Sequence, residues 1–189
     1  MKDFTRPRGR LASLPLPARV VYTVFLAFTL AGLAMSLWLT DDMVGLGLEQ
    51  LDAYYAGVES APAAEVAPAA GQGGPTLDLP DDLPIVEQAE PMPLLKLLEV
   101  THFHLFSMPV YLMILSHLFM LGRGSDRSKL LWIGIGTLST AGHIAAPWLA
   151  RSGAASAAVA YGLTGSGLLV SYVVMSVVPL WEMWGPRQG

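Results

Sequence analysis

The chain has 189 residues, of which 53% are hydrophobic and only 14% charged, with a mean hydropathy of +0.49. Soluble domains carry about a quarter charged residues, so this balance excludes a purely soluble globule and points to membrane segments. There are no cysteines, which excludes disulfides, CxxCH haem attachment, iron–sulfur clusters and thiolate metal sites. Nine Met and four His remain for any soft-metal ligation. The net charge of -4 is an average over strongly segregated charges.

Residues 1–19 carry Lys2, Arg6, Arg8, Arg10 and Arg19 against Asp3. With Pro7, Pro15 and Pro17 discouraging a helix, they read as a basic, flexible cytoplasmic tail. The apolar run 20–39 is long enough to cross the hydrocarbon core. A signal peptide cleaved near Ala34-Met35-Ser36 is the competing reading. The run outlasts a usual signal core and continues through Leu37-Trp38-Leu39, which favours a retained first span.

Residues 40–93 are expected to be an acidic, Pro/Ala-rich and largely disordered periplasmic loop. Its start, residues 41–57, mixes Val44, Leu46, Leu48, Leu51, Tyr54 and Tyr55 with acids and predicts a short amphipathic helix near the membrane surface. Residues 94–121 form the second span, interrupted by Pro109. A polar turn with Arg123, Arg127 and Lys129 leads to a third span, 130–149, and a short turn to a fourth, 157–181. Residues 182–189 are a cytoplasmic tail. The sequence thus predicts an all-α fold, a polytopic four-transmembrane-helix bundle.

Basic residues set its orientation. With the N-terminus inside, nine of the eleven cations fall on the cytoplasmic side, leaving Lys96 and Arg151 outside. The positive-inside rule therefore predicts N-in/C-in. Close packing is expected at small residues: Ala154, Ala158, Gly162 and Ser166 in the fourth span, Thr137, Ala141 and Ala145 in the third. Trp38, Trp148, Trp181 and Trp184 sit near span ends and read as interfacial anchors.

Histidine is costly in a bilayer, so the four imidazoles are the candidate functional groups. His102 and His104 are two apart, so a helix turns them ~200° from each other. His143 lies about six residues, ~9 Å, from the outer end of the third span, a depth similar to that of His104. Antiparallel second and third spans can bring these two rings together, the geometry that a bis-imidazole b-type haem requires. In that reading His104 and His143 are axial ligands, His102 is the substitute if the helix is rotated, and Gly142 and Gly165 leave room for a porphyrin. The plainer reading is a polar contact between helices. His117 with Met113 and Met120 offers a weaker Cu(I) reading. Glu99 and His102 share a helical face, but no other span supplies the acids a di-iron site needs, so Glu99 is at most a partner that orients His102. No nucleophile–base pair, phosphate-binding loop or nucleic-acid surface outside the basic tail stands out.

Thr101-His102-Phe103-His104-Leu105-Phe106, Ala146-Pro147-Trp148-Leu149 and Pro179-Leu180-Trp181-Glu182-Met183-Trp184 resemble a group of four-span bacterial inner-membrane proteins with no settled activity. The likeness covers the first span, Tyr54-Tyr55 and everything from about Leu94 onward. Some members of that group carry a c-type haem module in the loop after the first span, which implies a respiratory or redox neighbourhood. This chain, without cysteine, keeps only an acidic linker there. Similar proteins have Asp where His143 stands, which weakens a haem ligand at that position and strengthens a polar contact. The leading expectation is an inner-membrane, redox-associated protein holding one haem b near the periplasmic face, with a redox partner reached through the acidic loop. The rival is a non-catalytic accessory or assembly subunit, and a copper-handling protein comes third.

Overall fold

The computed structural model describes residues 11–43, 45, 47–56, 92–154 and 156–186. The expectations for residues 1–10, for the Pro-rich and acidic stretches within 57–91 and for 187–189 lie outside these. The described residues are all-helical: a 3-10 turn, Leu11–Ser13, then α1 (Leu16–Met43), α2 (Leu48–Ala56), α3 (Leu94–Met120), α4 (Asp126–Arg151) and α5 (Ala157–Trp184).

Among the described residues, α1, α3 and α5 are long and apolar enough to cross a membrane. Each extends about 40 Å, beyond the ~30 Å hydrocarbon core. The uncharged stretch 130–149 of α4, about 30 Å as a helix, just matches that core, but Gly134, Gly136, Thr137, Ser139, Thr140, Gly142 and His143 dilute its apolarity. Hydroxyls within these helices turn back on the preceding turn. Thr29 donates to the Phe25 carbonyl at 2.9 Å, Ser107 to Phe103 at 2.7 Å, Thr137 to Ile133 at 2.8 Å and Ser176 to Tyr172 at 2.7 Å. Such self-satisfaction is what a medium without water demands.

The α1 helix begins earlier than the sequence suggests. Pro17 falls in its first turn, where a missing N–H costs no helical bond. Arg19 folds back to donate to the carbonyls of Leu14, at 2.9 Å, and Ala12. Leu11 is fully buried against α5. Residues 11–19 are therefore packed onto the bundle rather than free as a tail, because Leu11 has a core to enter.

The most extensive packing is between α4 and α5. A methyl group on Gly142 would overlap Thr164, and one on Gly167 would overlap Ser139. The seam thus runs along Gly136, Ser139, Gly142 and Gly167. Thr137, Ala141 and Ala145, expected at the seam, are exposed. The core proper, Leu11, Leu26, Leu115, Leu118, Phe119, Leu168, Tyr172, Met175 and Met183, fills the half of the bundle nearer the α3–α4 turn. Tyr172 closes it, donating to the Met108 carbonyl at 3.3 Å and meeting the Thr140 hydroxyl at 3.2 Å. In the other half α2 packs against α4 and α5.

Two tryptophans expected as anchors also join helices. The Trp148 indole donates to Thr101 Oγ1 at 2.9 Å, tying α4 to α3, and Trp184 to Thr23 Oγ1 at 2.8 Å, tying α5 to α1.

Candidate functional site

At the α2 end of the bundle, α3 and α4 each supply one imidazole. The Trp148–Thr101 bond fixes the rotation of α3, and His104, three residues after Thr101, shares its inward face. His104 and His143 come together with ring centroids 6.5 Å apart and planes at 71°. His102 does not join them. It is exposed beside the Phe103 ring, 6.1 Å away. Glu99 pairs with Lys96 at 3.1 Å, so the suggested orientation of His102 by Glu99 is replaced by an exposed ion pair. His117, Met113 and Met120 are all exposed on α3, turned out of the bundle.

The two inward rings differ in how they are held. His104 Nδ1 lies 2.7 Å from the Val100 carbonyl. A carbonyl only accepts, so Nδ1 is the donor of this bond. His143 Nδ1 is buried with no hydrogen-bond partner among the described residues. It faces Gly165, where a methyl group would sit 3.5 Å from it. The His143 ring packs on Tyr161 of α5, centroids 4.5 Å apart and planes at 39°. Tyr161 in turn meets Tyr55 of α2, hydroxyl to hydroxyl at 3.4 Å. Burial first, then the neighbouring Tyr161, pushes the Tyr55 phenol above the ordinary tyrosine range, so it stays protonated. The result is a line of polar rings, His104–His143–Tyr161–Tyr55, crossing α3, α4, α5 and α2. Sequence reasoning missed Tyr161; its only signal was an amphipathic ring in an otherwise small-residue stretch of a span.

The ring separation of the two histidines suits a shared axial ligation, but the space does not. The gap bounded by His104, His143, Tyr55 and Tyr161 is about 50 Å³. Sites for ligands of cofactor size run to ~300–1,000 Å³. The glycines expected to admit a porphyrin are occupied: Gly142 by Thr164 and Gly165 by the His143 ring. A macrocycle would have to displace one of these seams, so the residues as packed do not fit haem b.

A larger space opens on the opposite side of the His143–Tyr161 wall. It measures about 330 Å³ and lies between α1, α2 and α5, with Gly162 and Ser166 on its α5 side. Those two residues were expected to form a packing seam. A methyl group on Gly162 would meet only Leu48 of α2, at 3.8 Å. At the far end of the bundle, Lys129 is buried and caps α3, donating to the Met120 carbonyl at 2.8 Å and the Gly122 carbonyl at 2.7 Å. Glu182 accepts from the Arg123 backbone N–H at 2.9 Å.

Finally, the described residues on either side of 57–91 meet at this site. The Met92 N–H donates to the Tyr54 carbonyl at 3.3 Å, and the Arg151 guanidinium donates to the Met92 carbonyl.

No curated protein and no solved structure matches the chain. Residues 45–189 match the model of a family described as a transmembrane helical domain. That match covers α2 to α5 and the whole ring cluster, and with the three apolar helices it makes this a multi-pass integral membrane protein. The chain belongs to that transmembrane helical domain family.

Proposed function

We propose that the protein is a four-span inner-membrane protein, N-in/C-in, acting as a non-catalytic accessory subunit that presents an acidic outer segment to a basic partner. The observation that carries this reading is the clasp between Tyr54, Met92 and Arg151. It brings the residues that flank 57–91 together at one point of the bundle. That segment contains seven carboxylates and no Lys or Arg, so its charge complements a cationic surface. The line of rings beneath the clasp holds α2 onto α4 and α5 and keeps the attachment point in place.

The fourth span is α4. Its first turn reaches the end of α3 through Lys129, and its last turn reaches the start of α3 through Arg151 and Met92, so it runs antiparallel to α3 over the full length. The distribution of cations supports the orientation.

The test is native electrophoresis of mildly solubilised membranes. The 20.2 kDa chain should migrate within a larger assembly that dissociates as salt rises. Changing the seven carboxylates of 57–91 to amides should have the same effect at low salt. Migration as a lone chain at low salt refutes the accessory role, and a Soret band with split reduced α/β peaks in the purified protein would restore the haem reading.

A further inference from the structure

A cavity of about 330 Å³ lies between α1, α2 and α5. The space is open on one side, with Ser36, Leu37 and Ser166 exposed along it, so in a bilayer it is filled by lipid tails or by a ligand that its lining suits better. Its volume falls in the range of small-ligand sites, enough for a substituted ring but not for a whole lipid.

Its lining defines the chemistry. Among the described residues no Asp, Glu, Lys or Arg borders it, so a charged ligand would find no counter-ion there. Leu33 and Leu37 of α1, Leu51 of α2 and Leu168 and Leu169 of α5 make most of the wall. The polar contribution comes from neutral groups, Ser36, Thr40, Ser166, His143 and Tyr161. Thr40 is satisfied by the Ser36 carbonyl at 2.9 Å. Among the described residues, the Ser36 and Ser166 hydroxyls find no partner. A hydroxyl in a lipid environment without a partner is unfavourable, and here two face one space from opposite helices. The His143 and Tyr161 rings, tilted 39° to each other, supply an aromatic wall beside Gly162, which has no side chain to block it.

We infer that this cavity binds a neutral, lipid-soluble molecule with an oxygen-bearing ring head, of the quinone or quinol class, between Ser36 and Ser166 and against the His143–Tyr161 wall. The apolar tail of such a molecule leaves by the open side of the cavity. The inference does not depend on the accessory role, since the cavity and the clasped segment are separate features.

The experiment uses the full chain in nanodiscs, with decylubiquinone as the probe and tryptophan fluorescence quenching as the readout. Saturable binding with one site per chain is expected. Gly162→Leu places its side chain in the cavity with no backbone conflict and should weaken binding at least tenfold. Ser166→Leu, from the same wall, should do so too. Gly32→Leu, where nothing lies within 4 Å, should bind like the parent chain. Each variant is first required to keep the parent's helicity and elution volume. Should one of the two cavity variants misfold, the other decides. Uptake that rises linearly with probe, as in empty nanodiscs, overturns the proposal. So does saturable binding unchanged by the cavity-filling variant that folds, and so does displacement of the probe by a diacylglycerol at equal concentration, which would remove the requirement for a ring.

Discussion

The imidazole of His143 rests on the ring of Tyr161, 4.5 Å between centroids, while its Nδ1 lies against Gly165 with no partner among the described residues. An unpaired buried polar atom costs ~1–3 kcal/mol. His143→Phe keeps the ring contact and removes the orphan. The unfolding midpoint in detergent should therefore rise, by about 2–4 °C for each kcal/mol recovered in a chain of this size. A fall in the midpoint would mean that the nitrogen is paired in the native membrane.

Lys129 offers the opposite case. Its ammonium sits on the carbonyls of Met120 and Gly122, which the end of α3 leaves without helical partners. Lys129→Met retains the apolar stem and strands both acceptors. The expected loss is about 1.5–3 kcal/mol, the range for hydrogen bonds to a charged group. Lys129→Arg, which can still donate, should recover part of it. Thermal unfolding of the two variants side by side checks the ranking, and an unchanged Lys129→Met would remove the capping role.

The apolar helices were legible because the bilayer imposes a length that composition alone reveals. Depth was legible too: antiparallel neighbours with a short turn place His104 and His143 at one level. What the sequence left open was rotation. Period 3.6 cannot choose between faces when small residues occur on all of them, as in α4, and the seam fell on Gly136, Ser139 and Gly142 rather than on Thr137, Ala141 and Ala145. For the same reason His102 and His104 could not be separated until Trp148 and Thr101 fixed α3. The cluster's fourth member, Tyr55, depends on α2 folding back over α5, a tertiary event with no local signal. Leu11 was lost to a different cause. Its neighbours Arg8, Arg10, Pro15 and Pro17 mark a tail by every local rule, yet one leucine finds a fully buried site.

The α4–α5 seam can be tested by contrast among glycines. Gly142→Val and Gly167→Val would each drive a branched side chain into Thr164 or Ser139 of the facing helix. Overpacking of this kind costs ~1–3 kcal/mol or more. Both variants should lower the yield of monodisperse protein and the unfolding midpoint. Gly134→Ala lies on the same helix with nothing within 4 Å and should be neutral or slightly stabilising through helix propensity. Equal behaviour of all three would show that α4 and α5 do not approach closely.

The position of α4 decides the topology, and the chain is suited to the measurement because it contains no cysteine. Gly124 lies in the turn between α3 and α4, with the Lys129 stem as its nearest neighbour at 3.9 Å, and tolerates a side chain. Ser152 is exposed just beyond the other end of α4. If α4 crosses the bilayer, Gly124→Cys and Ser152→Cys lie on opposite sides, the basic turn inside and Ser152 outside. A membrane-impermeant maleimide applied to spheroplasts should then label Ser152→Cys at once and Gly124→Cys only after permeabilisation. Gln72→Cys, in the acidic segment, should follow Ser152→Cys. Labelling of Gly124→Cys and Ser152→Cys from the same side would leave three spans and place the histidine pair on a helix that does not cross. A reversed pattern, with Gly124→Cys reactive in intact spheroplasts, would keep four spans but invert the molecule, turning the acidic segment toward the cytoplasm and any basic partner with it.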